Sequence, residues 1–267
     1  MRTGGFMSIC KAFDEFLAEA LPVVELGDKN GVSLRLIGAL AVYHHCPGFR
    51  FLYDEIKRVP TDIDFVAYST STKKLPDIMS QAGYDPDKWI MSTWFAKERH
   101  IYYSRKSNLK VDVFFDKLVM NHEIDFKGTL GLDSPTITLA NLLLTKMQIV
   151  KINEKDIKDS IILLREHTVG DSDRDTINLD YLARRLSDDW GFWFTFTTNL
   201  EKIKKFVPDY VAINEKDRDD VVSKADRILQ TLHGNPKSMK WKMRARIGPS
   251  KKWYTEVEEV VTGDHLR

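Results

Sequence analysis

Thr61-Asp62-Ile63-Asp64-Phe65 sets two carboxylates two residues apart inside an apolar, partly β-branched run. Residues two apart on a strand share a face, so Asp62 and Asp64 stand side by side while Ile63 and Phe65 turn the other way. Like charges this close repel and raise a pKa unless a cation or strong donors intervene. Hard divalent ions such as magnesium favour carboxylate oxygens and keep positions open for phosphate oxygens, which fits metal-bound triphosphate chemistry. The competing reading is a solvated pair at a strand end.

A third acid bears on that choice. Asp112 lies in Leu109-Lys110-Val111-Asp112-Val113-Phe114-Phe115, where β-branched and aromatic neighbours predict a core strand, and a carboxylate there needs a partner. Asp116, at the end of the same run, is its rival. Upstream, residues 33–37 read as a strand, Gly38 as a tight exit and residues 39–45 as a short helix ending before Pro47. A glycine between strand and helix lets backbone N–H groups approach a phosphate closely.

The wider pattern predicts an α/β (α+β) chain. Helical spacing of Ile9, Phe13, Phe16, Leu17, Ala20 and Leu21 predicts a helix over 8–21, stopped by Pro22. Strands are expected at 63–68, 99–104 and 110–115, with a helix over 75–82 between the first two. From Thr138 the signals turn helical, over 139–152, 154–166, 179–186, 199–206 and 215–232, with no strand after Phe115. The Ser134-Pro135 dipeptide marks the boundary between an α/β domain over 1–134 and an all-helical one over 135–267. The acid-rich stretch 171–175 reads as a loop.

Forty Lys and Arg against 39 Asp and Glu leave a net charge of +1, so no global field draws the chain to nucleic acid or membrane. Apolar runs fall short of the roughly 20 residues a spanning helix needs, and the first residues form neither a signal nor a transit peptide. Cys10 and Cys46 lack metal-ligand spacing and suit a reducing interior, so a cytoplasmic protein with no membrane partner is expected. His44, His45 and Cys46 are adjacent and cannot all converge on one zinc ion.

Leu36-Ile37-Gly38-Ala39-Leu40-Ala41, the stretch from Arg58 to Val66 around Asp62 and Asp64, and Lys110-Val111-Asp112-Val113-Phe114 together resemble the DNA polymerase β-like nucleotidyltransferase superfamily. Within it they are similar to the minimal and AbiEii-like toxin-type enzymes, as are Thr145-Lys146-Met147-Gln148 and residues 153–159. The resemblance spans about residues 33–165. It departs from the family at Gly38-Ala39, where Gly-Gly or Gly-Ser is usual, and in the long gap from Gly38 to Asp62, which holds Tyr43, His44, His45, Arg50 and Arg58.

The resemblance implies transfer of a nucleoside monophosphate from a nucleoside triphosphate to a hydroxyl of RNA, protein or a small molecule, with release of pyrophosphate and an antitoxin as partner. Asp62, Asp64 and Asp112 would hold Mg2+ or Mn2+, with Asp112 as general base; Gly38, Ala39 and Lys146 would meet the triphosphate. A non-catalytic nucleotide sensor and a metal-dependent nuclease are the alternatives.

Lys146 falls in the stripe of Leu139, Leu142, Leu143, Ile149 and Val150, with Asn141, Thr145 and Gln148 expected on a polar face; an inward lysine snorkels or meets an anion. Asp156 and Asp159, one turn apart, cap their helix or pair with Lys155 and Lys158, or else serve the site. Arg99, His100, Arg105 and Lys106 bracket a strand and either meet phosphates or stay solvated. Between Asn235 and Tyr254 stand Lys237, Lys240, Lys242, Arg244, Arg246, Lys251 and Lys252, with no acid and with Trp241, Trp253 and Tyr254 interleaved. Lys240, Lys242, Arg244 and Arg246 are the candidate contact to RNA or another polyanion, unless Glu256, Glu258 and Glu259 neutralise them.

Overall fold

The computed structural model describes residues 8–107 and 109–257. Its elements are α1 (Ile9–Lys29), β1 (Arg35–Ile37), α2 (Gly38–His45), α3 (Phe51–Glu55), β2 (Ile63–Ala67), α4 (Leu75–Gln81), β3 (Tyr84–Pro86), α5 (Lys88–Ser92), β4 (Arg99–Ser104) and β5 (Lys110–Phe115). These are followed by β6 (Lys117–Val119), β7 (Glu123–Asp125), α6 (Leu139–Met147), α7 (Glu154–Glu166), β8 (Thr168–Gly170), β9 (Thr176–Asn178), α8 (Leu179–Leu186), α9 (Trp190–Phe206), α10 (Glu215–Gly234) and α11 (Met239–Ile247). No helix among the described residues is long and apolar enough to cross a membrane.

The chain is mixed α/β, as expected, around a five-stranded sheet in the order β1-β2-β5-β4-β3. Within this sheet only β2 and β5 are parallel, and their register puts Asp64 beside Asp112; its other neighbours are antiparallel. The outer edge of β1 is covered by the segment after Pro135: Leu36 N–H donates to the Pro135 carbonyl at 2.9 Å and Ile137 N–H to that of Leu36 at 3.3 Å. That pairing satisfies backbone groups which would otherwise be orphaned at a buried edge. The buried apolar core runs without a break from α1 through the sheet into α6–α10, and α2 packs on both α6 and α7.

Several expectations are corrected. α1 does not stop at Pro22 but runs to Lys29. A proline inside a helix costs about 3 kcal/mol. Val23 and Val24, nearly fully buried just after it, each return roughly 1.5–3 kcal/mol, so packing outweighs the lost hydrogen bond. α6 ends at Met147 rather than 152 because distant side chains bind the backbone there. The Asn199 amide donates to the carbonyls of Met147 and Ile149 at 3.0 and 2.8 Å, and Val150 N–H donates to Asn121 Oδ1 at 2.8 Å. Asn141, Thr145 and Gln148 form no polar face: the whole of α6 is buried.

The second half is not all-helical, since β8 and β9 form a parallel pair around the 171–175 loop; in the first half, β6–β7 also follow Phe115. Strands of three residues are too short for alternation to declare them. α9 starts at Trp190, well before 199, with the Asp189 carboxylate accepting from Phe192 N–H at 2.9 Å. Its first turns carry aromatics on every side and so lack an amphipathic signature.

Candidate metal and nucleotide site

Asp62 ends the approach to β2, Asp64 is its second residue, and Asp112 is the third of β5. One carboxylate oxygen from each lies within 4.8 Å of the others, and no other such group of three is found among the described residues. The parallel register of β2 and β5 produces this meeting, because paired residues on neighbouring strands share a face.

The three carboxylates differ in surroundings. Asp112 is buried, with Arg99 Nη2 at 2.8 Å and Nε at 3.0 Å from Oδ1 and Lys110 Nζ at 3.0 Å from Oδ2. Both its oxygens are therefore engaged, and acting as a general base requires one of these cations to yield. Asp62 is half-buried and accepts from the Thr61 hydroxyl at 2.9 Å. Among the described residues no cation pairs directly with Asp62 or Asp64. Asp64 keeps some exposure as a residue, but its carboxyl is packed within the cluster. Burial first, then the charges of Asp62 and Asp112, push it up to about 8, against a weaker opposing pull from Lys146 and Arg99.

Gly38 touches the same group. It has φ +73°, and a Cβ built on it would stand 2.9 Å from Asp64 Oδ2, so both conformation and space demand glycine. It opens α2, whose first turn has no side-chain cap, and Ala39, half-buried, is the second residue of that turn. Uncapped N–H groups at a helix start beside the acids form a place where an anion is stabilised.

Lys146 is buried and inward, but its ammonium binds carboxylates: Asp159 Oδ2 at 2.8 Å and Asp156 Oδ1 at 3.2 Å. Burial alone would depress its pKa; Asp159 and Asp156 outweigh that and hold it above the usual lysine range. Asp159, fully buried, also accepts from Arg58 Nε at 3.0 Å and Nη2 at 3.1 Å. The expected pairing of Asp156 and Asp159 with Lys155 and Lys158 is thus replaced by one with Lys146 and Arg58, and Lys158 pairs with Glu154.

Arg58 and Lys110 are contributors whose roles sequence reasoning missed. Lys110 was readable in principle, being two residues from Asp112 on one strand face. Arg58 carries no such signal, because its partner lies 101 residues away.

The other basic residues divide. Arg99 meets Asp112, whereas His100 is buried against Phe115 and bonded to the Tyr102 hydroxyl, and Arg105 is tied at the surface to Asp85 and Ser80. His45 contacts Thr136 and Asp133 and stacks edge-on to His167, away from any metal-like cluster. In the basic C-terminal stretch, Arg244 lies over the Trp190 ring and donates to the Gly248 and Lys251 carbonyls, so it is not free to meet a polyanion. Lys240, Lys242 and Arg246 are exposed. Glu256 pairs with Lys252, while Glu258 and Glu259, like the first seven residues, lie outside the described residues. No protein-family model and no curated protein matches this chain.

Proposed function

We propose that this protein is a metal-dependent nucleotidyltransferase that moves a nucleoside monophosphate from a nucleoside triphosphate to an acceptor hydroxyl and releases pyrophosphate. The observation that carries the reading is the convergence of Asp62, Asp64 and Asp112 within 4.8 Å on adjacent strands, with the uncapped start of α2 at Gly38 against Asp64. The donor set is all carboxylate, which fits Mg2+ or Mn2+.

A bound divalent ion would neutralise the triphosphate and stabilise charge developing on the oxygens of the transferred phosphoryl group. Asp62, Asp64 and Asp112 would hold it. The N–H groups of the first turn of α2, including that of Ala39, would bind phosphate oxygens with no side chain competing. In the transfer the acceptor oxygen bonds to the α-phosphorus and the α–β bridging bond breaks. The acceptor's proton passes to a carboxylate of the cluster, and pyrophosphate leaves. Lys146, held by Asp159 and Asp156, offsets part of the rise in the proton affinity of Asp64 through space.

The test is incubation with radiolabelled triphosphates, Mg2+ or Mn2+, and RNA, protein and small-molecule acceptors. Metal-dependent label transfer abolished by Asp64→Asn supports the reading; absence of both transfer and metal-dependent triphosphate binding defeats it. A second reading, a nucleotide-binding sensor without turnover, is favoured by the engagement of both Asp112 oxygens with Arg99 and Lys110. Tight, metal-dependent nucleotide binding with no transfer to any acceptor selects it. RNA or protein as acceptor, an antitoxin partner and a cytoplasmic location stay part of this proposal.

A further inference from the structure

Helix α11 presents a face of unusual composition that has no partner among the described residues. Met239, Met243 and Ile247 stand at i, i+4 and i+8, and are 71%, 56% and 49% exposed. That spacing makes one stripe along the helix. At 100° per residue, Lys242 and Arg246 fall on one side of the stripe and Lys240 on the other. Lys240 reaches Asp188 only at 3.9 Å, and among the described residues no carboxylate pairs with Lys242 or Arg246.

The opposite side of α11 is well held. Trp241 packs edge-on to Trp193 of α9 at 5.1 Å, Arg244 covers Trp190, and the Ser238 hydroxyl accepts from Trp241 N–H at 3.1 Å. Trp253, the next aromatic along, donates from its indole to the Thr195 hydroxyl at 3.0 Å. Trp241 and Trp253 are thus half-buried and engaged with α9. What faces outward is Met, Met and Ile between cations.

We propose that this face of α11 docks an acidic amphipathic segment of a partner protein, whose apolar side chains cover Met239, Met243 and Ile247 while its carboxylates meet Lys240, Lys242 and Arg246. The charge ring selects an acidic partner, and the stripe selects one with apolar anchors at helical spacing. Methionine is flexible and polarizable, and suits a surface that adapts to such anchors. Nucleic acid fits less well, because Met and Ile offer bases no aromatic face. A membrane surface fits less well because three apolar residues on one short helix bury little, and stable membrane attachment takes a further signal. The inference stands apart from the transferase reading, since it uses none of the residues around Asp64.

The experiment measures fluorescence anisotropy of labelled helical peptides with the full chain. One peptide carries leucines at i, i+4 and i+8 flanked by glutamates; a second has lysines for the glutamates, and a third has serines for the leucines. A mixed-sequence single-stranded RNA and anionic phosphatidylserine vesicles complete the set. Only the Leu/Glu peptide should bind. Its affinity should fall roughly tenfold or more in Met243→Ser with Ile247→Ser, since burying even one such side chain is worth about a factor of ten. Lys242→Glu with Arg246→Glu should weaken it as well. All four positions are exposed, so unchanged thermal unfolding certifies that the variants fold. Failure of the Leu/Glu peptide to bind, or binding indifferent to the serine pair, overturns the proposal. So does RNA or vesicle binding tighter than the peptide's, which assigns the face to a polyanion or a membrane. Self-association lost in the serine pair overturns it too, assigning the stripe to a second copy of the chain.

Discussion

Replacing Lys146 by methionine removes an ammonium group from a largely buried ionic network while keeping most of the side-chain volume. Asp159 is 0% exposed, and its Oδ2 accepts from Lys146 Nζ at 2.8 Å; Arg58 binds Oδ1 at 3.0 Å and Oδ2 at 3.1 Å. At an effective dielectric of about 20, a unit pair at that separation is worth roughly 6 kcal/mol, and part of it is offset by the desolvation of Lys146 itself. Removing one member of a buried pair costs about 3–5 kcal/mol. Because Arg58 stays behind as a bidentate partner, Lys146→Met should fall near 3 kcal/mol. Asp159→Asn should cost more, since Arg58 then loses the one acid that ion-pairs with it among the described residues and Lys146 keeps only Asp156 at 3.2 Å. Equilibrium urea unfolding of the three proteins measures both values. A loss below about 1 kcal/mol for Lys146→Met would refute the claim that its charge is required where it lies. A smaller loss for Asp159→Asn than for Lys146→Met would refute the order.

Asp64→Asn should stabilise the metal-free protein by removing a carboxyl that burial and two neighbouring charges oppose, and should abolish any rise in melting temperature on adding Mg2+ or Mn2+; a metal-dependent rise in the variant would show that the ion binds elsewhere. Gly38→Ala forces an L-residue to φ +73° and sets a methyl 2.9 Å from Asp64 Oδ2, so it should cost about 1–2 kcal/mol in strain and weaken metal binding as well; a neutral outcome by thermal unfolding and calorimetry contradicts the geometry. Burial holds His122 down at about 4, and burial with the charges of His167 and His44 does the same for His45. A folded-state pKa below the unfolded value of 6.5 means that the folded protein binds fewer protons. Stability is therefore intact above 6.5 and falls as pH drops towards 4, by about 3 kcal/mol per histidine. Melts across that range for His122→Gln should show a shallower acid slope than the parent, and an unchanged slope rules His122 out as a contributor.

What could be read from the sequence followed the strength of local pattern. β4, β5, α7 and α8 have the expected ends, because the strands are rich in β-branched and aromatic residues and the two helices begin at side-chain caps, Asn153 and Asn178. The meeting of Asp64 with Asp112 was anticipated only as two acids on core strands; that β2 and β5 are parallel neighbours is tertiary information. The end of α6 was hidden because Asn121 and Asn199 set it from far along the chain. The packing of the basic stretch was hidden for a related reason. Composition placed Trp241, Trp253 and Arg244 beside the lysines, but packing on α9 turned them inward and left methionines outside.

The handling of buried charge across the fold gives the acid cluster its meaning. Asp159 is enclosed, and the chain supplies Arg58 and Lys146; Asp112 is enclosed, and the chain supplies Arg99 and Lys110. Asp64 sits between these two solutions with no direct cationic partner among the described residues, and burial, then the charges of Asp62 and Asp112, drive its carboxyl up to about 8. Sequences that specify a stable fold satisfy buried charge, and the places where they decline to do so are where function is found. An asparagine at 64 would relieve the repulsion at no cost in volume. That an aspartate stands there, with Gly38 held at φ +73° to make room for it, is best explained by a counter-charge arriving from outside the chain. Under the proposed function a divalent ion carrying a triphosphate would supply it, and Asp64→Asn would then separate the stability of the fold from the chemistry of the site.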